Sequence, residues 1–124
     1  MRARALMDAP IDGVRLFALR ELVDHQDMLP TVDGTVFMAS PVSYSIFCAM
    51  RDLHEEGEMV TMPGVLNSLL RYTVTTFDEI DLIVCGNMYY RAVELLFSAP
   101  HVDRPIYCAA LSERMYTSEG RYAA

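Results

Sequence analysis

The sequence predicts a three-layer α/β domain with a mainly parallel sheet of about four strands, preceded by an N-terminal helix. From residue 35 onward, short apolar runs alternate with segments of helical periodicity, in the order strand, helix, strand, helix, strand, helix, strand. The apolar runs are continuous rather than alternating, which is typical of strands that helices cover on both faces. We therefore predict a Rossmann-like or flavodoxin-like arrangement over 35–124 with a frayed C-terminal tail, and a helical segment with its loop over 1–34.

The first predicted element is a helix over residues 11–25. Its apolar stripe includes Val14, Phe17 and Leu22, and Asp12 precedes it as a candidate N-cap. The stripe is wider than a free arm would show. We expect this helix to pack on the body or across a dimer axis, and we expect a homo-oligomer. Residues 27–34 follow as a predicted loop with a turn at Asp33-Gly34.

Four apolar runs are predicted strands. They are short, rich in β-prone residues and bounded by turn signals. "DLIVCG" is the clearest of them, since it holds four consecutive apolar residues before a glycine. The four predicted strands are 35–40, 58–62, 81–86 and 104–111.

Three helices are predicted between these strands. Ser40 and Pro41 favour a helix start, because serine accepts from free amides and proline suits the first helical position. That helix runs to about residue 56 and stops at Gly57. The other two are 65–72 and 88–98, the latter with Asn87 as its cap. Residues 76–79 resemble a capping box, and the tail from 112 begins as a helix before it frays.

Composition narrows the function classes. The chain has 124 residues, a formal charge of −7, ten scattered arginines and no lysine. The charge disfavours direct nucleic-acid binding, and the absence of lysine excludes Schiff-base and P-loop chemistry. No run is long enough to span a membrane.

The three cysteines form no C-x-x-C pair, which favours buried thiols, a reducing compartment and a cytoplasmic protein. No metal-ligand spacing is present, and no cofactor is expected.

A ligand pocket is predicted at one edge of the sheet. Ligands of parallel sheets bind beyond the carboxyl ends of the strands. Glu94 lies one to two turns into the third helix, where a carboxylate could act on a sugar. The other residues predicted around it are Ser40, Pro41, Tyr44, Gly86, Asn87 and Tyr90.

Three segments also resemble the nucleoside 2-deoxyribosyltransferase-like proteins, which include small phage-encoded relatives and nucleotide N-glycoside hydrolases. The segments are "VFMASP" (36–41), "VLNSLLRYTVTTFDEIDLIVCGN" (65–87) and "AVELLFSAPHVDRPIYC" (92–108).

The resemblance implies a nucleoside or nucleotide as ligand. It also implies that Glu94 attacks the anomeric carbon, that Tyr44 orients Glu94, and that Ser40 and Asn87 line the pocket. Tyr90 stands where that family has a small residue, and Gly86-Asn87 stands where it has an aspartate. The prediction therefore includes a member of the family that has lost its catalytic activity.

Two alternatives stay open at this point. One is a small acidic protein of phage or mobile-element type that binds and inhibits a host protein complex. Its candidate contact is the acidic segment 52–58, with Glu55, Glu56 and Glu58. The other is a nucleotide-sensing module that binds its ligand without turning it over.

Overall fold

The fold is all-helical, and the predicted α/β sheet is wrong. The computed structural model describes residues 11–76, 79–104 and 106–113, with 72–76 and 79–86 described by backbone alone. These ranges contain five α-helices, two short 3₁₀ helices and no strand. The α-helices are α1 Gly13–Asp24, α2 Pro41–Glu55, α3 Met62–Thr76, α4 Glu79–Ser98 and α5 106–113, and the 3₁₀ helices are Gln26–Thr31 and Gly34–Phe37.

The N-terminal helix is confirmed. Asp12 caps α1, because its carboxylate accepts the Arg15 backbone N–H at 2.9 Å. Ala18, Leu19 and Leu22 are fully buried, and α1 packs on both α2 and α4. The apolar stripe read from the sequence is therefore a core face within this chain.

Both predicted ends of α2 are confirmed. Ser40 caps the start through its Oγ, which accepts the Ser43 N–H at 3.3 Å, and Pro41 takes the first helical position. Gly57 ends the helix with a φ of 79°, a left-handed conformation that favours glycine. The Gly57 N–H donates to the His54 carbonyl and the Glu58 N–H donates to the Leu53 carbonyl, which together form a Schellman motif.

The predicted strand over 35–40 is wrong because a local turn captures its start. The Asp33 carboxylate accepts both the N–H and the hydroxyl of Thr35, which winds the chain into the second 3₁₀ helix. Phe37 then stacks on Phe47 of α2, with ring centroids 5.2 Å apart. The apolar run is buried as a single turn, not as a strand.

The predicted strand over 58–62 is also wrong, although Val60 is buried and Met59 points outward as in a strand. The backbone of this segment forms its hydrogen bonds with one side chain and not with a second strand. Gln26 accepts the Val60 N–H at 3.0 Å and donates to the Val60 carbonyl at 3.3 Å. Residue 62 then begins α3, where the Thr61 hydroxyl accepts the Gly64 N–H.

The predicted strands over 81–86 and 104–111 are helical. The first lies inside the 20-residue helix α4, so Asn87 is an interior helical residue and caps nothing. Most of the second forms α5. The predicted helices 65–72 and 88–98 are confirmed as parts of α3 and α4. The capping-box prediction rests on residues 77 and 78, and the fraying prediction on 114–124, which lie outside the described residues.

The core lies between α1, α2, α3 and α4, with α2 in contact with the other three helices and both 3₁₀ turns. Its largest fully buried side chains on α2 are Ile46, Phe47 and Met50. A membrane-spanning helix needs about 20 mostly apolar residues, and none of the helices within 11–76, 79–104 and 106–113 meets this requirement.

Candidate functional site

A cleft of about 220 Å³ opens between α2 and α3. Tyr44, Cys48 and Asp52 line one wall, because residues four apart fall on the same face of a helix. Ala49 and Leu69 supply apolar surface, and Ser45 and Ser68 add hydroxyl groups. Such a mixture of apolar surface and a few polar groups is typical of a small-ligand site.

The polar groups at one end of the cleft contact one another. The hydrogen bond between Tyr44 and Cys48 raises the pKa of the tyrosine above its usual value. Arg51 lies over the Phe47 ring, 5.6 Å from its centroid, and its Nη2 donates to the Cys48 sulfur at 3.9 Å. Ser45 pairs with the Tyr89 hydroxyl of α4 at 3.2 Å. These contacts hold the tyrosine end of the cleft in place.

Asp52 stands at the other end of the cleft without a partner. Its side chain is exposed and forms no hydrogen bond or ion pair within the described part of the chain. None of the residues that line the cleft is a cation. The lining of the cleft therefore presents one carboxylate and no cation, although Arg51 borders the cleft at Cys48.

A second feature is an acidic corner, which we define as Glu55, Glu56, Glu58 and Met59 at the C-terminal end of α2. All four side chains are exposed, and Met59 is 74% exposed. The described residues contain no ion pair to any of these three glutamates. A helix C-terminus carries a partial negative charge and favours cations, so this placement of acidic residues opposes helix stability.

A buried polar cluster joins α1 to the end of α4. Arg20, only 7% exposed, donates to the carbonyls of Leu96 and Phe97 at 3.4 and 3.3 Å, where α4 ends. Its Nε also donates to Asp24 at 3.2 Å. A guanidinium at a helix C-terminus satisfies free carbonyls and matches the sign of the helix dipole.

Asp24 ties the chain after α4 to α1. It accepts the Val102 N–H at 2.9 Å, and His101 Nδ1 lies 2.8 Å from its other oxygen. That nitrogen also lies 3.0 Å from Arg20 Nη2, so it either donates to Asp24 or accepts from Arg20, according to its protonation. Partial burial opposes ionisation of Asp24, but the Val102 amide, His101 and Arg20 outweigh it and hold its pKa below the usual value.

Glu21 closes the same cluster at α5. It is fully buried, and its two carboxylate oxygens accept the backbone N–H groups of Tyr107 and Cys108, the latter at 3.0 Å. Burial raises the pKa of the Cys108 thiol well above its usual value, and the neighbouring Glu21 adds to this. The thiol donates to the Ala18 carbonyl at 3.4 Å, so Cys108 is a structural residue.

The residues of the predicted glycosyl site do not converge. Asn87, Tyr90 and Glu94 lie on one exposed face of α4, at helical spacing. Tyr44 lines the cleft on α2, where its hydroxyl bonds to Cys48 and not to Glu94. Glu94 does not line the cleft.

The remaining predicted site residues serve to start a helix or lie inside one. Ser40 and Pro41 start α2, and Gly86 is an interior residue of α4. The edge of a parallel sheet that was to gather them does not exist in the described residues. The glycosyl-transfer hypothesis stays a prediction, but its geometric basis is lost.

The sequence reading missed Cys48, Asp52 and Ser68 as parts of one site. The spacing of Tyr44, Cys48 and Asp52 at i, i+4 and i+8 was the available signal. Ser68 had no such signal, because its place depends on how α3 packs against α2. Among the described residues, no group of three or more histidine, cysteine, aspartate or glutamate side chains could hold a metal ion.

No protein-family model, curated protein or solved structure matches the chain. The resemblance to nucleoside 2-deoxyribosyltransferase-like proteins therefore stays a prediction from the sequence, and the α/β fold that it implied is contradicted by the helices described above.

Proposed function

We propose that this chain is a protein-binding module that docks its acidic corner on a basic surface of another protein. The observation that carries the proposal is the acidic corner itself. Glu55, Glu56 and Glu58 are exposed, lack ion-pair partners in the described residues and stand at the helix end that disfavours them. Natural sequences break a local rule of this kind chiefly at functional sites.

The corner also has the composition of a small interface. Met59 projects beside the glutamates with 74% of its surface exposed. Methionine is flexible and polarisable, so it adapts to a pocket on a partner. An apolar residue beside several charges matches the usual division of labour at an interface, in which charges direct the approach and an apolar anchor supplies affinity.

The backbone holds this corner in one shape. The Schellman motif at Gly57 reverses the chain between Glu56 and Glu58, and Gln26 fixes Val60 immediately afterwards. A preorganised loop loses less conformational freedom on binding than a flexible one. These features support docking on another protein, which the alternative of an acidic inhibitor of a host complex also requires.

The test compares two variants that change the net charge equally. The corner variant is Glu55→Gln, Glu56→Gln and Glu58→Gln. The control neutralises three exposed carboxylates elsewhere, Asp27→Asn, Glu94→Gln and Glu113→Gln. Each immobilised protein is presented with a lysate of its source organism at low and high salt. Retained proteins are identified by mass spectrometry, and their affinities are measured with the purified partner.

We expect one basic partner whose dissociation constant rises on the order of tenfold to a hundredfold in the corner variant, since each exposed ion pair contributes up to about 1 kcal/mol. The control variant should bind as the unmodified protein does. Equal weakening in both variants would show a net-charge effect and contradict the proposal. Unchanged binding in the corner variant, or no specific partner at low salt, would also contradict it.

A further inference from the structure

We infer that the cleft between α2 and α3 is a binding site for a small primary ammonium ion that carries a short apolar chain. This site is separate from the acidic corner and does not depend on the docking proposal. The inference rests on the charge of the cleft, its size and the order of groups along its wall.

The charge of the cleft selects a cation. Asp52 lines the cleft, carries the sole carboxylate among the lining residues and has no partner in the described part of the chain. Arg51 borders the cleft, but its guanidinium contacts Phe47 and Cys48. A phosphate or carboxylate that enters beside Asp52 would therefore meet a like charge. An ammonium group donates three hydrogen bonds, and a carboxylate accepts them.

The size of the cleft selects a small ligand. Its volume of about 220 Å³ lies below the roughly 300–1,000 Å³ of pockets that bind drug-sized ligands. A short alkylamine suits a cleft of this size.

The groups along the cleft lie in the order that such a ligand needs. Ala49 and Leu69 supply apolar surface, as the chain of an alkylamine requires. Cys48 and Tyr44 lie one and two turns before Asp52 on α2, so Tyr44 stands at the end of the cleft away from the carboxylate. Because Ser45 is paired with Tyr89, this wall is held in place before a ligand arrives.

Cys48 provides a built-in reporter for the experiment. Its thiol lines the cleft and is partly accessible, whereas Cys108 is 6% exposed and serves as an internal reference. The rate of Cys48 alkylation by iodoacetamide at pH 7 is followed by peptide mass spectrometry. The probes are pentylamine, pentanol and pentanoate, which share a five-carbon chain and differ in charge.

We expect pentylamine to slow the alkylation of Cys48, with an apparent dissociation constant about fivefold lower than that of pentanol, as one exposed charge pair allows. Pentanoate should bind most weakly. Asp52→Asn, a substitution of similar shape at an exposed position, should remove the difference between amine and alcohol. Glu55→Gln, which neutralises an acid outside the cleft lining, should preserve it.

Three results would overturn the inference. The first is no protection of Cys48 by any of the three probes. The second is equal protection by pentylamine and pentanol in the unmodified protein. The third is an amine preference that survives in Asp52→Asn. The first two need no variant, so a folding defect would not hide them.

Discussion

The substitution Glu21→Ala is expected to detach α5 from the body of the protein. Glu21 is fully buried in α1, and its carboxylate accepts the N–H groups of Tyr107 and Cys108 at the start of α5. Alanine removes both acceptors and leaves a cavity. The hydrogen bonds found for these two amides among the described residues go to Glu21 alone, so in the alanine variant only water could replace it.

The expected cost follows from the environments of the two amides. An unsatisfied buried donor costs about 1–3 kcal/mol. Cys108 is 6% exposed, so the loss at its amide should cost near the upper end of that range. Tyr107 is half-buried and its amide can reach water, so the loss there should cost less. Together we expect a loss of about 3–4 kcal/mol in the free energy of unfolding. For a domain of this size, that corresponds to a fall in Tm on the order of 10–15 °C.

Urea unfolding followed by circular dichroism measures this loss. Glu94→Ala is the control, because Glu94 is an exposed helical residue whose substitution should change stability by no more than about 0.5 kcal/mol. Glu21→Gln keeps one acceptor oxygen and should fall between the two. Amide hydrogen exchange should accelerate at Tyr107 and Cys108 in both Glu21 variants. If Glu21→Ala unfolds with the control, or if exchange at these amides is unchanged, the capping argument is wrong.

Two further predictions use matched pairs in the same unfolding assay. Gly34→Ala should destabilise the protein by about 1–3 kcal/mol, because the new Cβ would lie 2.7 Å from the buried Phe47 ring. Gly13→Ala, in open space at the start of α1, should stabilise it by up to about 1 kcal/mol. The reverse order of stabilities would contradict the packing described. Since the pKa of Asp24 is lowered in the folded state, its contribution is complete above about pH 4 and is lost as the pH falls through the lowered value. The urea midpoint of Asp24→Asn should therefore decline less between about pH 5 and pH 2 than that of the unmodified protein, while Asp27→Asn should follow the unmodified protein, and parallel curves for all three would refute the assignment.

The helix boundaries at Asp12, Ser40 and Gly57 were predictable because each signal acts within a few residues. A short side chain or a left-handed glycine satisfies the free backbone groups of its own helix end, whatever the rest of the chain does. The acidic corner was visible for the same reason, since its glutamates are close neighbours in sequence.

The cleft was only half predictable. Tyr44 was named as a site residue, and the spacing to Cys48 and Asp52 lies within one helix. The opposite wall comes from α3, and no local pattern specifies which face of α3 meets α2. Glu94 was misplaced because its role depended on a sheet edge, which is a tertiary feature.

By itself, the sequence determined an acidic chain, the helices α1 and α2, and the caps of these two helices. The run over 35–40 is wound locally by Asp33, whereas only the tertiary structure decided the state of the apolar runs over 58–62 and 104–111. Such a run can be buried as a strand or as a helix, and its hydrophobicity does not distinguish the two. The choice depends on which distant group satisfies its backbone: Gln26 for Val60, and Glu21 for Tyr107 and Cys108. Those partners lie 34, 86 and 87 residues away in sequence, so they are brought close only when the helices pack.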